Sequence, residues 1–170
     1  MNLTISALIV LSSLIGGQGI LETEKTTSKP VIIKWVDNLQ GDFSFTNTKH
    51  KSHSIQCEAW CYEWAGTDFI EVFRKNKDSI HCFTRTSIAT HCSLQLDMIK
   101  DTCYATIKLS SIAPGGDARY YCTDGFITID KNFWSKGIMK AEFSFNFEHI
   151  ENPEQPIYWK GKIFARINLN

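Results

Sequence analysis

The clearest pattern in the chain is an alternation of aromatic and polar residues near its C-terminus. Phe143, Phe145 and Phe147 stand two residues apart in the segment KAEFSFNFE, and the positions between them are polar. Successive side chains on a β-strand point to opposite faces, so this alternation predicts a strand with one apolar face and one wet face. The apolar face must be covered either by the protein's own core or by a bound apolar molecule.

A long hairpin is predicted over the last part of the chain. Residues 137 to 148 and 157 to 167 both read as strands, and the connection between them, residues 149 to 156, contains two prolines. A polar connection of this length predicts an antiparallel pair with a loop longer than the tightest turns. Ile163, Ala165 and Ile167 then share the apolar face of the second strand.

Shorter segments rich in β-branched and aromatic residues predict further strands along the chain. They are residues 31 to 36, 42 to 46, 54 to 62, 68 to 74, 79 to 84, 104 to 109, 119 to 122 and 126 to 129.

Residues 87 to 100 have a different pattern, because apolar residues such as Ile88, Cys92 and Leu96 recur at helical spacing and Ser87 is a suitable N-cap. The sequence therefore predicts a mostly β fold, in which two antiparallel sheets form a sandwich or cup with one short helix at about residues 87 to 100.

The N-terminus predicts a secretory signal peptide, residues 1 to 19. Residues 3 to 15 are apolar and are followed by small residues, and this run is too short to cross a bilayer as a helix. The alternative is a buried first helix. We expect residues 20 to 170 to form a single domain that is secreted or lumenal and has no stable membrane insertion.

Composition and charge exclude some classes of partner. Hydrophobic residues make up 43% of the chain and charged residues 21%, which is typical of a globular protein. The 18 basic and 18 acidic residues cancel. With no basic surplus to neutralise phosphates, nucleic acid is not expected as a partner.

The cysteine content favours disulfide bonds. An even number of cysteines after a signal peptide is typical of proteins that fold in an oxidising compartment. The alternative is a metal site, with His50, His53, His81 and His91 near the first cysteines, but the paired spacings of zinc sites are missing. We therefore expect disulfides, no metal and no cofactor. The six cysteines are Cys57, Cys61, Cys82, Cys92, Cys103 and Cys122.

Three features from Ser79 onward point to a protein family. Cys92 is followed by Leu-Asp-Met-Ile and then by Cys103, Gly137 lies in the segment WSKGIMKAE that enters the penultimate strand, and the chain ends in a short strand. This order resembles the ganglioside activator and its lipid-recognition relatives, a secreted group that includes insect chemosensory proteins. The cysteines that this family usually has in its first and last strands are missing here.

The resemblance implies a β-cup that is not an enzyme. Such a protein holds a lipid or other hydrophobic small molecule in an apolar cavity between two sheets and presents it to a receptor or a lipid-processing enzyme. By analogy, Cys92 would pair with Cys122, and Trp134 and Trp159 would lie at the rim, where an aromatic ring with a polar atom is favourable. Separately from the resemblance, the small basic runs at residues 49 to 51 and 74 to 77 are expected to be solvated loops, and contact with an acidic head group is the alternative. The residues implied to line the cavity are Phe143, Phe145, Phe147, Ile163, Ala165 and Ile167.

An immunoglobulin-like domain is the main alternative. Tyr120 precedes Cys122 by two residues, as in the tyrosine corner of such domains, and Cys57 lies at a workable distance along the chain. This interpretation predicts a Cys57–Cys122 bridge and a function in protein–protein recognition.

Two further interpretations concern smaller groups of residues. His81 and His91, with Asp97 or Asp101, are acid–base candidates, but they match no recognisable catalytic spacing, so an enzyme is not expected. The alternating residues Trp60, Tyr62 and Trp64 fit either a sugar-stacking or adhesive platform or one more strand with its side chains in the core.

Overall fold

The computed structural model describes residues 27–45, 53–86, 88–110, 116–148, 154 and 156–169. The predicted signal peptide lies outside this part of the chain. The described residues form ten β-strands and one short helix. They are β1 (Val31–Val36), β2 (His53–Trp60), β3 (Ile70–Asn76), β4 (Ser79–Thr84), β5 (Cys92–Ile99), β6 (Thr102–Leu109), β7 (Ala118–Asp130), α1 (Lys131–Trp134), β8 (Ile138–Phe147), β9 (Ile157–Arg166) and β10 (Asn168–Leu169).

All ten strands belong to one continuous sheet, in the order β10-β3-β4-β5-β6-β1-β7-β8-β9-β2. Strand β1 is antiparallel to β6 and parallel to β7. Strand β7 also pairs directly with β6 through its first residues, so the long β7 joins the two halves of the sheet. The prediction of a mostly β fold is confirmed, but the strands make a single sheet rather than two clearly separate ones.

The sheet curls so that its two ends approach each other. Strand β9 lies near one end of the strand order, yet β10, which follows it after Ile167, pairs in parallel with β3 at the other end. Strand β3 also contacts both β2 and β9. One hydrophobic core fills the concave side and takes residues from both halves of the sheet.

The aromatic alternation on β8 buries one face of that strand. Phe143, Phe145 and Phe147 are only 1%, 0% and 4% exposed, and the rings of Phe143 and Phe145 stack with centroids 5.5 Å apart. The predicted hairpin is also present, with β8 and β9 antiparallel from Ile138↔Arg166 to Phe147↔Ile157.

The helix predicted over residues 87 to 100 is wrong. Cys92, Leu94, Leu96 and Met98 are buried at every second position, and β5 pairs along its length with β6 and from Gln95 to Ile99 with β4. Apolar residues occur in this segment at both helical and strand spacing. The ladders with the two neighbouring strands provide the hydrogen bonds that the backbone of a buried strand needs. The one helix of the described residues is the single turn α1, which Asp130 caps by accepting from the Phe133 N–H.

The strand predicted at residues 42 to 46 is not formed by its described residues. Residues 44 and 45 lie in a turn, where the Asp42 carboxylate accepts from the Ser44 N–H, and residue 46 lies outside the described residues. The strands predicted at residues 119 to 122 and 126 to 129 are confirmed as parts of one longer strand, β7, which is irregular between Cys122 and Asp124. No helix in the described part of the chain is long and apolar enough to cross a membrane.

Candidate functional site

A small cleft opens at one end of the curled sheet, where the two halves of the sheet meet. Strand β1 and helix α1 form one side, and the β3–β4 and β5–β6 turns form the other. The cleft has a volume of about 180 Å³. We call it the end cleft, and its lining residues are Ile33, Trp35, Arg74, Lys77, Asp78, Ser79, Ile80, Met98, Lys100, Asp101 and Trp134.

The floor of the end cleft is the edge of the hydrophobic core. Ile33, Ile80 and Met98 are 4%, 3% and 2% exposed and belong to the core that fills the concave side of the sheet. They come from β1, β4 and β5, so both halves of the sheet contribute to the floor. A group that enters the cleft therefore meets an apolar surface continuous with the protein interior.

Two tryptophans form the wall of the cleft. The rings of Trp35 and Trp134 meet edge to face, with centroids 5.1 Å apart and planes inclined by 75°. The Trp35 Nε1–H donates to Asp101 Oδ1 over 2.8 Å, and the Arg74 guanidinium lies 5.9 Å from the centroid of the Trp134 ring. These contacts hold both rings at the opening.

Backbone hydrogen bonds hold the two turns of the cleft against each other and against β1. The Lys100 N–H donates to the Asp78 carbonyl, and the Ile33 N–H donates to the Asp101 carbonyl, both over 2.8 Å. Lys100 has a φ of 53°, the left-handed conformation that lets the β5–β6 turn close in two residues. The cleft is therefore built on backbone pairing.

The charges around the cleft favour an anion. Arg74, Lys77 and Lys100 bring three cationic side chains, against the two carboxylates of Asp78 and Asp101. Asp101 already accepts a hydrogen bond from Trp35. An apolar floor under a rim with excess positive charge suits a molecule that has both an apolar and an anionic part.

The structure separates the predicted cavity residues from the predicted rim residues. The six residues predicted to line a cavity are buried and belong to the hydrophobic core. Trp134 does lie at an opening, in the end cleft. Trp159 is fully buried and not at a rim, because its ring packs on the concave side of β9 and its indole N–H donates to Cys57 Sγ over 3.1 Å.

Sequence reasoning assigned Arg74 and Lys77 to a basic run and named Asp101 as an acid–base candidate, but it missed Trp35 and Lys100. Trp35 could have been found from its position two residues after Ile33, because alternate residues of that strand face inward. Nothing in the local sequence placed Lys100 and Asp101 at a cleft, since they form a turn only through the pairing of β5 with β6.

The alternating aromatic residues at the end of β2 are not equally exposed. Trp60 packs against the core and contacts Tyr62, with ring centroids 6.4 Å apart. Tyr62 and Trp64 lie in the connection after β2 and are 49% and 77% exposed. Neither a three-ring platform nor a strand that buries all three rings is therefore formed.

The register of the sheet excludes two of the predicted disulfides. Cys57 lies level with Ile127, three strands away and five residues from Cys122, which is about 16 Å along the strand. Cys92 lies level with Ala118, two strands away and four residues from Cys122. Bridged cysteines need Cα atoms within about 7 Å, so neither Cys57 nor Cys92 can pair with Cys122.

Each of the two predicted acid–base histidines lies within hydrogen-bond distance of a carboxylate. His81 Nδ1 lies 2.9 Å from Asp97 Oδ1, and His91 Nδ1 lies 3.2 Å from Glu63 Oε2. The hydrogen bond from His81, helped by the nearby Lys75, lowers the pKa of Asp97 to about 2. In the described residues no three His, Cys, Asp or Glu side chains converge as metal ligands would.

A wider groove runs over the outer, convex face of the sheet between β1 and β7, with a volume of about 670 Å³. Ile32 and Phe126 stand in it with 71% and 50% of their surfaces exposed, flanked by Lys29 and Lys34. This outer groove is larger than the end cleft and is open to solvent, and the core residues Val31 and Ile127 also contribute to its lining.

Comparison with known proteins gives no match to any protein-family model, curated protein or solved structure. The resemblance to the ganglioside activator family therefore stays a prediction, and the end cleft has to be interpreted from its own chemistry.

Proposed function

We propose that the protein is a non-catalytic binding protein for a small anionic amphiphile, which it holds in the end cleft. The observation that carries this proposal is the apolar floor of Ile33, Ile80 and Met98 beneath two tryptophans and three cationic side chains. A fatty acid or lysolipid has the matching chemistry, with an anionic head group and a hydrocarbon tail. This function agrees with the lipid binding that the family resemblance implies.

The binding energy has two sources in this geometry. Each methylene group that leaves water for the floor of the cleft gains roughly 0.8 kcal/mol. Arg74, Lys77 and Lys100 at the opening attract the head group, and the guanidinium of Arg74 can also bind a carboxylate or phosphate through two parallel hydrogen bonds.

The volume of the cleft limits how much of the ligand it encloses. Pockets that enclose a whole drug-sized molecule measure roughly 300 to 1,000 Å³, whereas the end cleft measures about 180 Å³. The cleft therefore holds a short stretch of tail. In the cup that the family resemblance implies, the two halves of the curled sheet would be the walls, and a longer tail would have to separate side chains that are now packed together.

The proposal is tested by titrating the purified protein with a series of saturated fatty acids of increasing length, followed by calorimetry and native mass spectrometry. We expect affinity to rise with each of the first few methylenes and then to level off, because the remaining carbons stay in water. Alcohols of the same length should bind about tenfold more weakly, since they lack the charge that the cations attract.

Amino-acid substitutions test whether the ligand binds in the end cleft. Trp134→Ala and Arg74→Met should each weaken binding about tenfold. Lys160→Met is a matched control, because Lys160 lies on β9 and pairs at 3.3 Å with Glu58, away from the cleft. An equal loss of affinity in the control, or no binding of any chain length, would contradict the proposal.

A second candidate is recognition of another protein through the outer groove, and the exposure of Ile32 and Phe126 favours it. Apolar residues next to one another on an exposed sheet face often mark an interaction surface. If this candidate is right, Ile32→Ser with Phe126→Ser should abolish capture of a partner from the native secretions while leaving fatty-acid binding unchanged.

A further inference from the structure

Cys61 and Cys92 lie in contact, although they come from opposite halves of the sheet. Cys61 directly follows β2, the last strand in the sheet order, and Cys92 is the first residue of β5. Their sulfur atoms lie 2.8 Å apart, against roughly 2.05 Å for a disulfide bond. Both residues are buried, at 9% and 0% exposure.

Backbone hydrogen bonds keep the two segments together without the sulfur atoms. The His91 and Cys92 N–H groups both donate to the Trp64 carbonyl, over 2.7 Å and 2.9 Å, and the Gly66 N–H donates to the Cys92 carbonyl over 3.0 Å. The connection after β2 is thus aligned beside the start of β5. A covalent bond between the sulfur atoms would therefore need only a small adjustment of the side chains.

We propose that Cys61 and Cys92 form a disulfide bond that fastens the β2 end of the sheet to β5. The oxidant would be a small disulfide such as oxidised glutathione. One thiolate of the pair attacks the oxidant and expels one glutathione thiol, and the other thiolate then attacks the mixed disulfide and expels the second. Two protons leave the cysteines, and two electrons pass to the glutathione.

The electrostatics of the pair support this chemistry. The contact between the two thiols lowers the pKa of Cys92 and, together with burial, raises the pKa of Cys61. Cys92 therefore has the larger thiolate fraction of the two and is the thiol that attacks the oxidant. Burial also raises the pKa of the Cys57 and Cys82 thiols. Their sulfur atoms contact Trp159 Nε1 and Met139 Sδ, respectively.

The bond would stabilise the curl of the sheet at one edge. At the other edge, β10 already ties β9 to β3 through backbone pairing. Closing the segment between Cys61 and Cys92 restricts the unfolded chain, and a loop of about this length is expected to shift the unfolding equilibrium by roughly 10²- to 10³-fold.

Peptide mapping tests the proposal directly. Residues 20 to 170 are folded in a glutathione redox buffer, free thiols are alkylated without reduction, and the protein is cut with trypsin and a glutamate-specific protease. The second enzyme separates Cys57 from Cys61, because Glu58 lies between them. We expect the peptide of residues 59 to 63 to be linked to that of residues 86 to 100. Alkylation of both cysteines, or a link from either to a different cysteine, would overturn the proposal.

Stability measurements provide a second readout. Reduction of the wild-type protein should shift its unfolding equilibrium by the factor given above, and Cys92→Ser should remove this sensitivity to reductant. Cys82→Ser is the matched control, since it replaces an equally buried thiol but should leave the sensitivity intact. If Cys92→Ser does not fold, the stability of the oxidised wild-type protein is compared with that of the reduced wild-type protein. Equal stability of the two forms would contradict the proposed disulfide bond.

Discussion

The indole nitrogen of Trp159 lies 3.1 Å from the sulfur of Cys57, so a buried N–H on β9 donates to a thiol on the neighbouring strand β2. The same thiol lies 3.4 Å from the Thr67 carbonyl oxygen and donates to it. The sulfur thereby satisfies a donor that would otherwise be unpaired in the core. This relationship explains why a tryptophan with a polar atom can lie fully inside rather than at a rim.

Replacing Cys57 by alanine should destabilise the protein by about 1 to 3 kcal/mol, because the Trp159 N–H is left buried without an acceptor. Cys57→Ser retains an acceptor and should cost less. The measurement is the free energy of unfolding in urea under reducing conditions, which separates this effect from any disulfide. Equal losses in the two variants would mean that the hydrogen bond contributes nothing measurable.

The stability of Phe145→Ala tests whether the aromatic face of β8 packs in a filled core or borders an empty cavity. Phe145 is 0% exposed and stacks on Phe143, so its truncation leaves a cavity and should cost about 3 to 5 kcal/mol. Phe164→Ala is the control on the outer face, where Phe164 is half-buried and contacts Phe133 with ring centroids 5.3 Å apart. Denaturant unfolding should show the larger loss for Phe145→Ala, and a loss below about 1 kcal/mol would favour a hollow interior.

The sequence predicted an element correctly where the local pattern alone determines its structure. It failed where pairing with neighbouring strands determines the structure. The alternation at Phe143, Phe145 and Phe147 predicted both the strand and its buried face, because period two leaves no other regular arrangement. In residues 87 to 100, apolar residues occur both at every second position and at helical spacing, so the pattern fits a strand as well as a helix. This segment is a strand because β5 pairs with β4 and β6. The sequence of one segment does not show which strands it will pair with.

The candidate site was predictable only in part for the same reason. The family resemblance implied a rim position for Trp134, and Arg74 was assigned to a basic run. Their approach to within 5.9 Å depends on β3 and α1 meeting across the curled sheet. Lys100 and Asp101 line the cleft because they form the β5–β6 turn. That turn was not expected, because residues 87 to 100 were predicted to be a helix. Contacts between residues far apart in sequence follow from the strand order, which hydrophobic periodicity does not encode.

Gly161 should not tolerate a side chain. A Cβ atom there would lie 2.3 Å from the Gln56 carbonyl oxygen and 2.6 Å from the Cys57 Cα, both on the paired strand β2. Gly161→Ala should therefore push β2 away from β9 and cost about 1 to 3 kcal/mol. Hydrogen exchange should show faster opening of the β2 amides.

Gly137→Ala separates this steric effect from conformational strain. Gly137 has a φ of 74°, but a Cβ atom there would meet nothing within 4 Å. Its replacement should cost about 1 kcal/mol from the left-handed conformation alone and should leave exchange in β2 unchanged. Slow exchange of the β2 amides in Gly161→Ala would show that the two strands can adjust to the methyl group.

The carboxylate of Asp130 should make stability depend on acidic pH. Burial favours its neutral form, but hydrogen bonds from the Leu39, Phe133 and Asn132 N–H groups and the charge of Lys140 outweigh burial and lower its pKa. The Leu39 and Phe133 bonds measure 2.9 Å and 3.1 Å. Because the folded pKa lies below the unfolded value of about 3.9, the stabilisation is complete above that pH and is lost as pH falls through the folded pKa.

Asp130→Asn should therefore lower stability at pH 7 by about 1 to 3 kcal/mol, since charged acceptors on backbone N–H groups are replaced by a neutral amide. The same variant should lose less stability than the wild type between about pH 5 and pH 2, because it has no carboxylate to protonate at this position. Urea unfolding at several pH values gives both quantities. Asp37→Asn is the control, since Asp37 is exposed and its carboxylate lies 3.7 Å from Lys131. If the two variants have parallel pH profiles, Asp130 does not contribute the acid sensitivity that its buried hydrogen bonds imply.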